Sequence, residues 1–236
     1  MEFYSSIVDY YDYIFPFNTN HKDFVLNEIT DITDSLLDIG CGTGTLTYEI
    51  SKKVNNIKAL DYDKNMVKKA KLKYPNLDFR YGNMLNINSE FKQNNFDIIY
   101  SFGNTLVHLN SLEEVKEFLE KAFNLLNNKG KVLIQILNYD YILSHNIKEL
   151  PLVDNEKIKF IRNYQIKNNL VEFKTNLTIK DEAVILHNII NLLPILKFDI
   201  EIISKQIGFA NIEFYSDFMK NDYNEKSLYL VFKLEK

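Results

Sequence analysis

The sequence predicts an α/β fold: a seven-strand sheet, largely parallel, with helices on both faces and a small antiparallel β insert between strand five and the last helix. Three observations predict it. Short apolar runs alternate with helix-periodic segments between residues 36 and 136, the rhythm of a parallel sheet. Leu36-Leu37-Asp38-Ile39 runs into Gly40-Cys41-Gly42-Thr43-Gly44, so three of only seven glycines in 236 residues fall within five positions. After residue 150, strand patterns follow one another with no helix between them.

Taken in order, residues 3–17 are aromatic and weakly helical up to Pro16, and read as core or as a lid over a pocket. A helix over about 20–31 sets Phe24, Val25, Ile29 and Ile32 roughly on one side. Strand one is 36–39, and the helix after the glycines, about 45–54, buries Leu46 and Ile50. Strand two is 57–61, a helix over 65–74 is ended by Pro75, and strand three, 77–81, stops at Gly82. Strand four, 96–100, is a near-continuous apolar run of the kind buried in parallel sheets.

The clearest helix is 112–126, where Val115, Leu119, Ala122, Phe123 and Leu126 recur at helical spacing before the stop Asn127-Asn128-Lys129-Gly130. Strand five is 131–136. The insert reads as strands 157–165, 170–179 and 183–191, with turns at Asn168-Asn169 and Lys180-Asp181. Pro194 opens the last helix, Gly208 stops it, and strands 211–216 and 227–234 complete the sheet. One domain is expected over 1–236: an N-terminal helical lid (1–34), a ligand-binding core (35–145), the insert (150–192), and a closing unit (193–236).

Composition narrows the function. At 46% apolar residues the chain can fill a core. It holds no run of eighteen apolar residues, and its start lacks a basic-then-apolar leader pattern, so no membrane partner is expected and the cytoplasm is the expected location. A single cysteine excludes an internal disulfide and a cysteine-built metal site, and the four histidines show no metal spacing. The formal charge is −4, only Arg80 and Arg162 are arginine, and no dense basic block exists, which argues against a nucleic-acid partner. The choice between monomer and homo-oligomer stays open.

The glycine loop predicts a strand, a tight turn and a helix start whose free N–H groups face a ligand. A dinucleotide fingerprint needs glycine or alanine where Thr45 stands, which excludes that motif. Asp61 ends strand two about twenty residues after Gly40, placed to accept both hydroxyls of a ribose. Asp-x-Gly-x-Gly-x-Gly followed by this acid resembles the S-adenosylmethionine site of class I methyltransferases, whose sheet is Rossmann-like. The resemblance implies S-adenosylmethionine as cofactor, bound at the carboxyl ends of the strands. The residues it points to are Asp38, Gly40, Cys41, Gly42, Gly44, Asp61, Asn83, Met84 and Ser101, with Tyr62 or Met66 against the adenine. Asn83 stands where many such enzymes carry aspartate, and it still offers an acceptor oxygen.

Two further stretches narrow the resemblance. Ser101-Phe102-Gly103-Asn104-Thr105-Leu106-Val107-His108-Leu109 is similar to a Gly-Asn-Ser-Phe-Ala-His-Leu stretch of glycine N-methyltransferases, and Asn138-Tyr139-Asp140-Tyr141-Ile142-Leu143 matches their segment after strand five. The resemblance implies a small-molecule acceptor methylated at nitrogen, with Asn104 orienting it and His108 as base or hydrogen-bond partner. Tyr11, with Tyr4 as a second candidate, would lie against the sulfonium. The chain departs from that group at Leu137, where an arginine clamps the substrate carboxylate; leucine cannot replace it and only Arg162, on the insert, is left to do so, which disfavours glycine itself and favours a neutral, amine-bearing or more apolar acceptor. Cys41 has no adjacent base and reads as loop filling. An oxygen acceptor, a macromolecular acceptor and a non-catalytic cofactor-binding module are the alternatives.

Overall fold

The computed structural model describes residues 2–31, 33–92, 95–182 and 184–236, so Ile32 and Ala183 lie outside the described residues. The chain opens with helices α1 (Glu2–Ile7), α2 (Tyr11–Ile14) and α3 (Thr19–Leu26), then alternates β1 (Ser35–Ile39), α4 (Thr45–Ser51), β2 (Asn56–Asp61), α5 (Lys64–Lys73) and β3 (Asp78–Tyr81). It continues through α6 (Ile87–Glu90), β4 (Phe96–Ser101), α7 (Leu112–Leu125), β5 (Leu126–Leu137) and α8 (Tyr139–Ser144). The insert holds β6 (Val153–Asp154), β7 (Ile158–Lys167), β8 (Leu170–Ile179) and β9 (Val184–Leu192), and α9 (Lys197–Ile207), β10 (Asn211–Tyr215) and β11 (Tyr229–Glu235) close the chain.

Among the described residues the main sheet has seven strands in the order β10-β11-β5-β4-β1-β2-β3, and the insert is a separate four-stranded sheet in the order β6-β7-β8-β9. Pairings from β3 through β5 are parallel, while β11 runs antiparallel to both β5 and β10. Successive strand residues face opposite ways, which sorts the core into two layers. Leu37, Ile39, Ile99 and Ile134 face one layer with Val115 and Phe118 of α7 and Ile200 of α9. Leu36, Ile98, Tyr100 and Leu133 face the other with Phe24 of α3 and Ile50 of α4.

Several boundaries differ from the sequence reading. The helix expected to run to residue 31 ends at Leu26, so its predicted apolar stripe is carried only by Phe24 and Val25, both buried. The Asn-Asn-Lys-Gly stop lies inside β5: Phe96 pairs with Leu126 and Ile98 with Lys131, so residues 127–130 bulge out opposite Asp97. Asn127 Nδ2 donates to Asp97 Oδ1 at 2.7 Å, and Lys129 takes φ 61°, a turn held within a strand. The last helix begins at Lys197, three residues past Pro194, where the Asp199 carboxylate accepts the Leu196 N–H at 2.9 Å. Gly208 ends it at φ 102°, as its position predicts. Asn168 and Asn169, at φ 52° and 61°, form the left-handed pair that a tight hairpin requires.

Candidate active site

The carboxyl ends of β1, β2 and β4 open onto one crevice, lined by Gly40 and Gly42 of the loop, Asp61, Tyr62, Met66, Met84, Gly103, Thr105 and His108, and roofed by Tyr4 and Tyr11. The loop folds sharply because Gly40 and Cys41 both donate their N–H to Leu60 O, at 2.8 and 3.2 Å, which ties it to β2. Gly42 carries φ 54°, and a Cβ there would meet the Tyr11 ring at 3.0 Å, so the backbone lies directly against that aromatic.

Asp61 is the anionic centre. Its Oδ2 accepts the Gly42 N–H and its Oδ1 the Asp63 N–H, both at 2.8 Å. Burial raises its pKa to about 6 against the opposing pull of these bonds, so it is ionised at neutral pH. The Tyr62 N–H is a third backbone donor to this carboxylate, whose lone pairs outnumber the three bonds, and the side chain lines the crevice. Asp63 caps α5 by accepting from Asn65 N and Met66 N, and accepts from Ser5 Oγ at 2.6 Å, which docks α1 over the crevice.

The aromatic roof is held by polar contacts. Asp12 of α2 accepts from Thr43 Oγ1 and, at 2.8 Å, from Lys73 Nζ, whose charge and the threonine bond hold its pKa below the ordinary value despite burial. Tyr4 Oη lies 2.8 Å from His108 Nε2. Burial lowers the His108 pKa to about 4, so the imidazole is neutral at physiological pH. Burial also raises the Tyr4 and Tyr11 phenols, and both stay protonated.

Of the residues singled out from the sequence, Tyr4, Tyr11, Gly40, Gly42, Asp61, Tyr62, Met66, Met84 and His108 meet at this crevice. Asp38, Cys41, Gly44, Asn83, Ser101 and Asn104 do not line it. Asp38 is buried and accepts from Thr47 Oγ1 at 2.6 Å and Tyr100 Oη at 2.9 Å, joining α4 and β4 to β1. Burial outweighs these two bonds and raises its pKa to about 7. Gly44 lies against the second layer, where a Cβ would meet the Phe79 ring at 2.5 Å. Ser101 Oγ donates to Ile39 O at 2.8 Å, and Asn83 Oδ1 accepts from Leu85 N at 2.9 Å as a turn cap.

Asn104 sits at φ 68°, with Oδ1 accepting the Leu137 N–H at 2.9 Å and Nδ2 donating to Tyr139 Oη at 3.3 Å. Cys41 packs in the loop with its thiol pKa raised by burial. Tyr4 had only its aromatic character to recommend it, and Thr105 and Gly103 no signal beyond their place at a strand end. The fit between Thr105 and Gly40, where a Cβ would come within 2.5 Å, is a tertiary contact.

The methyltransferase domain family model matches residues 31–174. The chain belongs to this family. The match runs from the approach to β1 through β5 and into the insert, and so contains the glycine loop and Asp61. An uncharacterized protein of Methanocaldococcus jannaschii is 33% identical over 128 residues, 54% of this chain and 47% of that one. The match spans about half or less of the length of this relative and of a putative methyltransferase of Invertebrate iridescent virus 6. Among solved structures, an S-adenosylmethionine-dependent methyltransferase from Clostridium acetobutylicum superposes with TM-score 0.84 at 19% identity, covering 98% of both chains. The sugar N-methyltransferase KedS8 of a Streptoalloteichus species gives TM-score 0.70 at 13% identity, covering 91% of this chain and 84% of that one. The fold of this methyltransferase-family chain is that of the class I S-adenosylmethionine-dependent enzymes, insert included.

Proposed function

We propose that this chain transfers a methyl group from S-adenosylmethionine to the nitrogen of a small molecule. The observation that carries the reading is Asp61: an ionised carboxylate at the end of β2, anchored to the glycine loop by the Gly42 N–H and with acceptor capacity left toward the crevice. That pair of acceptor oxygens fits the hydroxyls of a ribose, with the backbone of Gly40 and Gly42 beside the amino-acid portion and Met66, Met84 and Tyr62 around the adenine. The bound cofactor supplies a methyl group on a sulfonium whose positive charge already activates the leaving group.

The chain's own residues orient and enclose. Tyr4 of α1 and Tyr11 of α2 line the crevice, where an aromatic ring can attract a cation. His108, neutral and hydrogen-bonded to Tyr4, acts better as the acceptor that fixes the Tyr4 hydroxyl than as a proton store, because its low basicity gives it little drive to hold a proton at neutral pH. An amine acceptor must therefore arrive in its neutral form. Asn104 shapes the acceptor side by pinning the end of β5 to Tyr139. Nitrogen is favoured by the resemblance of the 101–109 and 138–143 segments to N-methyltransferases and by the likeness to KedS8. The formal charge of −4 disfavours a polyanionic substrate.

Calorimetry with S-adenosylmethionine, S-adenosylhomocysteine and NAD tests the donor, and methyl-labelled donor with a small-molecule cell extract tests the acceptor. Binding of the two sulfur compounds without NAD, and label recovered on an amine, are expected. Silence from both sulfur compounds would overturn the cofactor assignment, and label on oxygen or carbon would overturn nitrogen.

A further inference from the structure

We infer that Arg162 and Thr175, on the inward face of the insert, form a binding site for a carboxylate of the methyl acceptor. The inference rests on the transferase reading and names the substrate class. Arg162 of β7 and Thr175 of β8 stand directly opposite each other in the antiparallel register. On β7 and β8 they interrupt a run of buried apolar and aromatic residues, Phe160 and Tyr164 on β7 and Phe173 and Leu177 on β8, while on β9 Asn188 stands opposite Thr175 and donates to Ser6 Oγ at 3.2 Å.

Both residues carry buried polar atoms without a partner. Arg162 Nε and Thr175 Oγ1 are two of the three buried side-chain polar atoms that find no hydrogen bond among the described residues. Thr175 is 2% exposed, so bulk solvent does not reach its hydroxyl. Arg162 donates from one terminal nitrogen to Pro151 O at 2.7 Å, and no carboxylate pairs with it among the described residues, whereas Arg80 is paired with Asp78. A partly buried guanidinium without a counter-charge and a buried hydroxyl beside it are both costly unless something arrives to bind them.

The location suits an acceptor. The Arg162 guanidinium lies over the Phe160 ring, 5.8 Å from its centroid, and near the Tyr164 and Tyr229 side chains. Tyr164 is hydrogen-bonded to Tyr139, which is held in turn by Asn104 next to the crevice residues Gly103 and Thr105. The ring of Phe173 contacts Phe3, the neighbour of Tyr4 in the crevice roof, at 6.1 Å between centroids. A planar monoanion with two acceptor oxygens matches one guanidinium edge and one hydroxyl. No lysine shares this face of the insert to serve a group of higher charge.

The test uses the full chain saturated with S-adenosylhomocysteine, titrated calorimetrically with ω-amino acids from glycine to aminocaproate and with their primary amides. At least one acid should bind about tenfold or more tightly than its amide. Arg162→Gln should erase that gap and Thr175→Val should reduce it, both with unchanged S-adenosylhomocysteine affinity, which also reports that the variants are folded. An acid series that nowhere exceeds its amides, or a gap that survives Arg162→Gln, overturns the inference. Failure of the wild type to bind S-adenosylhomocysteine would instead sink the transferase reading, and the acceptor site with it.

Discussion

Replacing Asp61 by asparagine keeps the shape of the side chain and removes its charge. The fold holds this carboxyl at a pKa of about 6, against an ordinary value of 3.8, so keeping it ionised at neutral pH costs about 3 kcal/mol. A folded-state pKa above the unfolded one means that its stabilising contribution is complete below pH 3.8 and is lost as pH rises through about 6. Asparagine removes that cost, but its amide nitrogen must face a backbone N–H that the carboxylate accepts, such as that of Gly42 or Asp63, which costs about 1–3 kcal/mol. The donor-free variant should therefore melt close to the wild type, and its stability should decline less between pH 4 and pH 6.

Donor binding should respond differently. Losing one charge-assisted bond to a ribose hydroxyl costs about 1.5–3 kcal/mol, or roughly 10- to 150-fold in Kd. Wild-type affinity should itself fall about tenfold between pH 7.5 and pH 5, as the carboxyl with pKa about 6 takes up its proton. Calorimetry with S-adenosylhomocysteine across that range, on both proteins, reads all of this. Equal affinity in wild type and variant, or a wild-type affinity independent of pH, would refute the ribose assignment.

Gly44→Ala places a Cβ 2.5 Å from the Phe79 ring at φ 79° and should cost about 2–5 kcal/mol in a urea titration without ligand; an unchanged midpoint would contradict the packing role. His108→Ala and Tyr4→Phe should each lower turnover while sparing donor affinity, and the double variant should be no worse than either single one, because the two side chains act as one hydrogen-bonded unit. With the His108 pKa near 4, kcat should show no rising limb around the ordinary histidine pKa of ~6.5. A limb there that disappears in His108→Ala would restore the histidine as general base.

The strand, turn and helix around Gly40–Gly44, and the acid closing β2, were legible in the sequence because they are local. Glycine spacing, apolar runs and a strand-end carboxylate are set by neighbours in the chain, and nine of the named site residues do meet at one crevice. The antiparallel insert was legible for the same reason, through its missing helices and its Asn168-Asn169 turn.

Side-chain direction was not. Asp38 and Ser101 sit in strands where the pleat and the register, Asp38 opposite Tyr100, turn their oxygens to Tyr100, Thr47 and Ile39 instead of the crevice. Asn104 looks like an acceptor-orienting amide, yet both ends of its amide are bonded to residues that the fold brings up from β5 and α8. The antiparallel entry of β11, the bulge within β5, and the meeting of Tyr4 with His108 across 104 positions likewise depend on how the layers pack. Local sequence decides which segments become strand, turn or helix. Only the packed structure decides which side chains are spent on holding them together and which stay free to meet a ligand, since each polar group has few bonds to make and burial determines which partners are within reach.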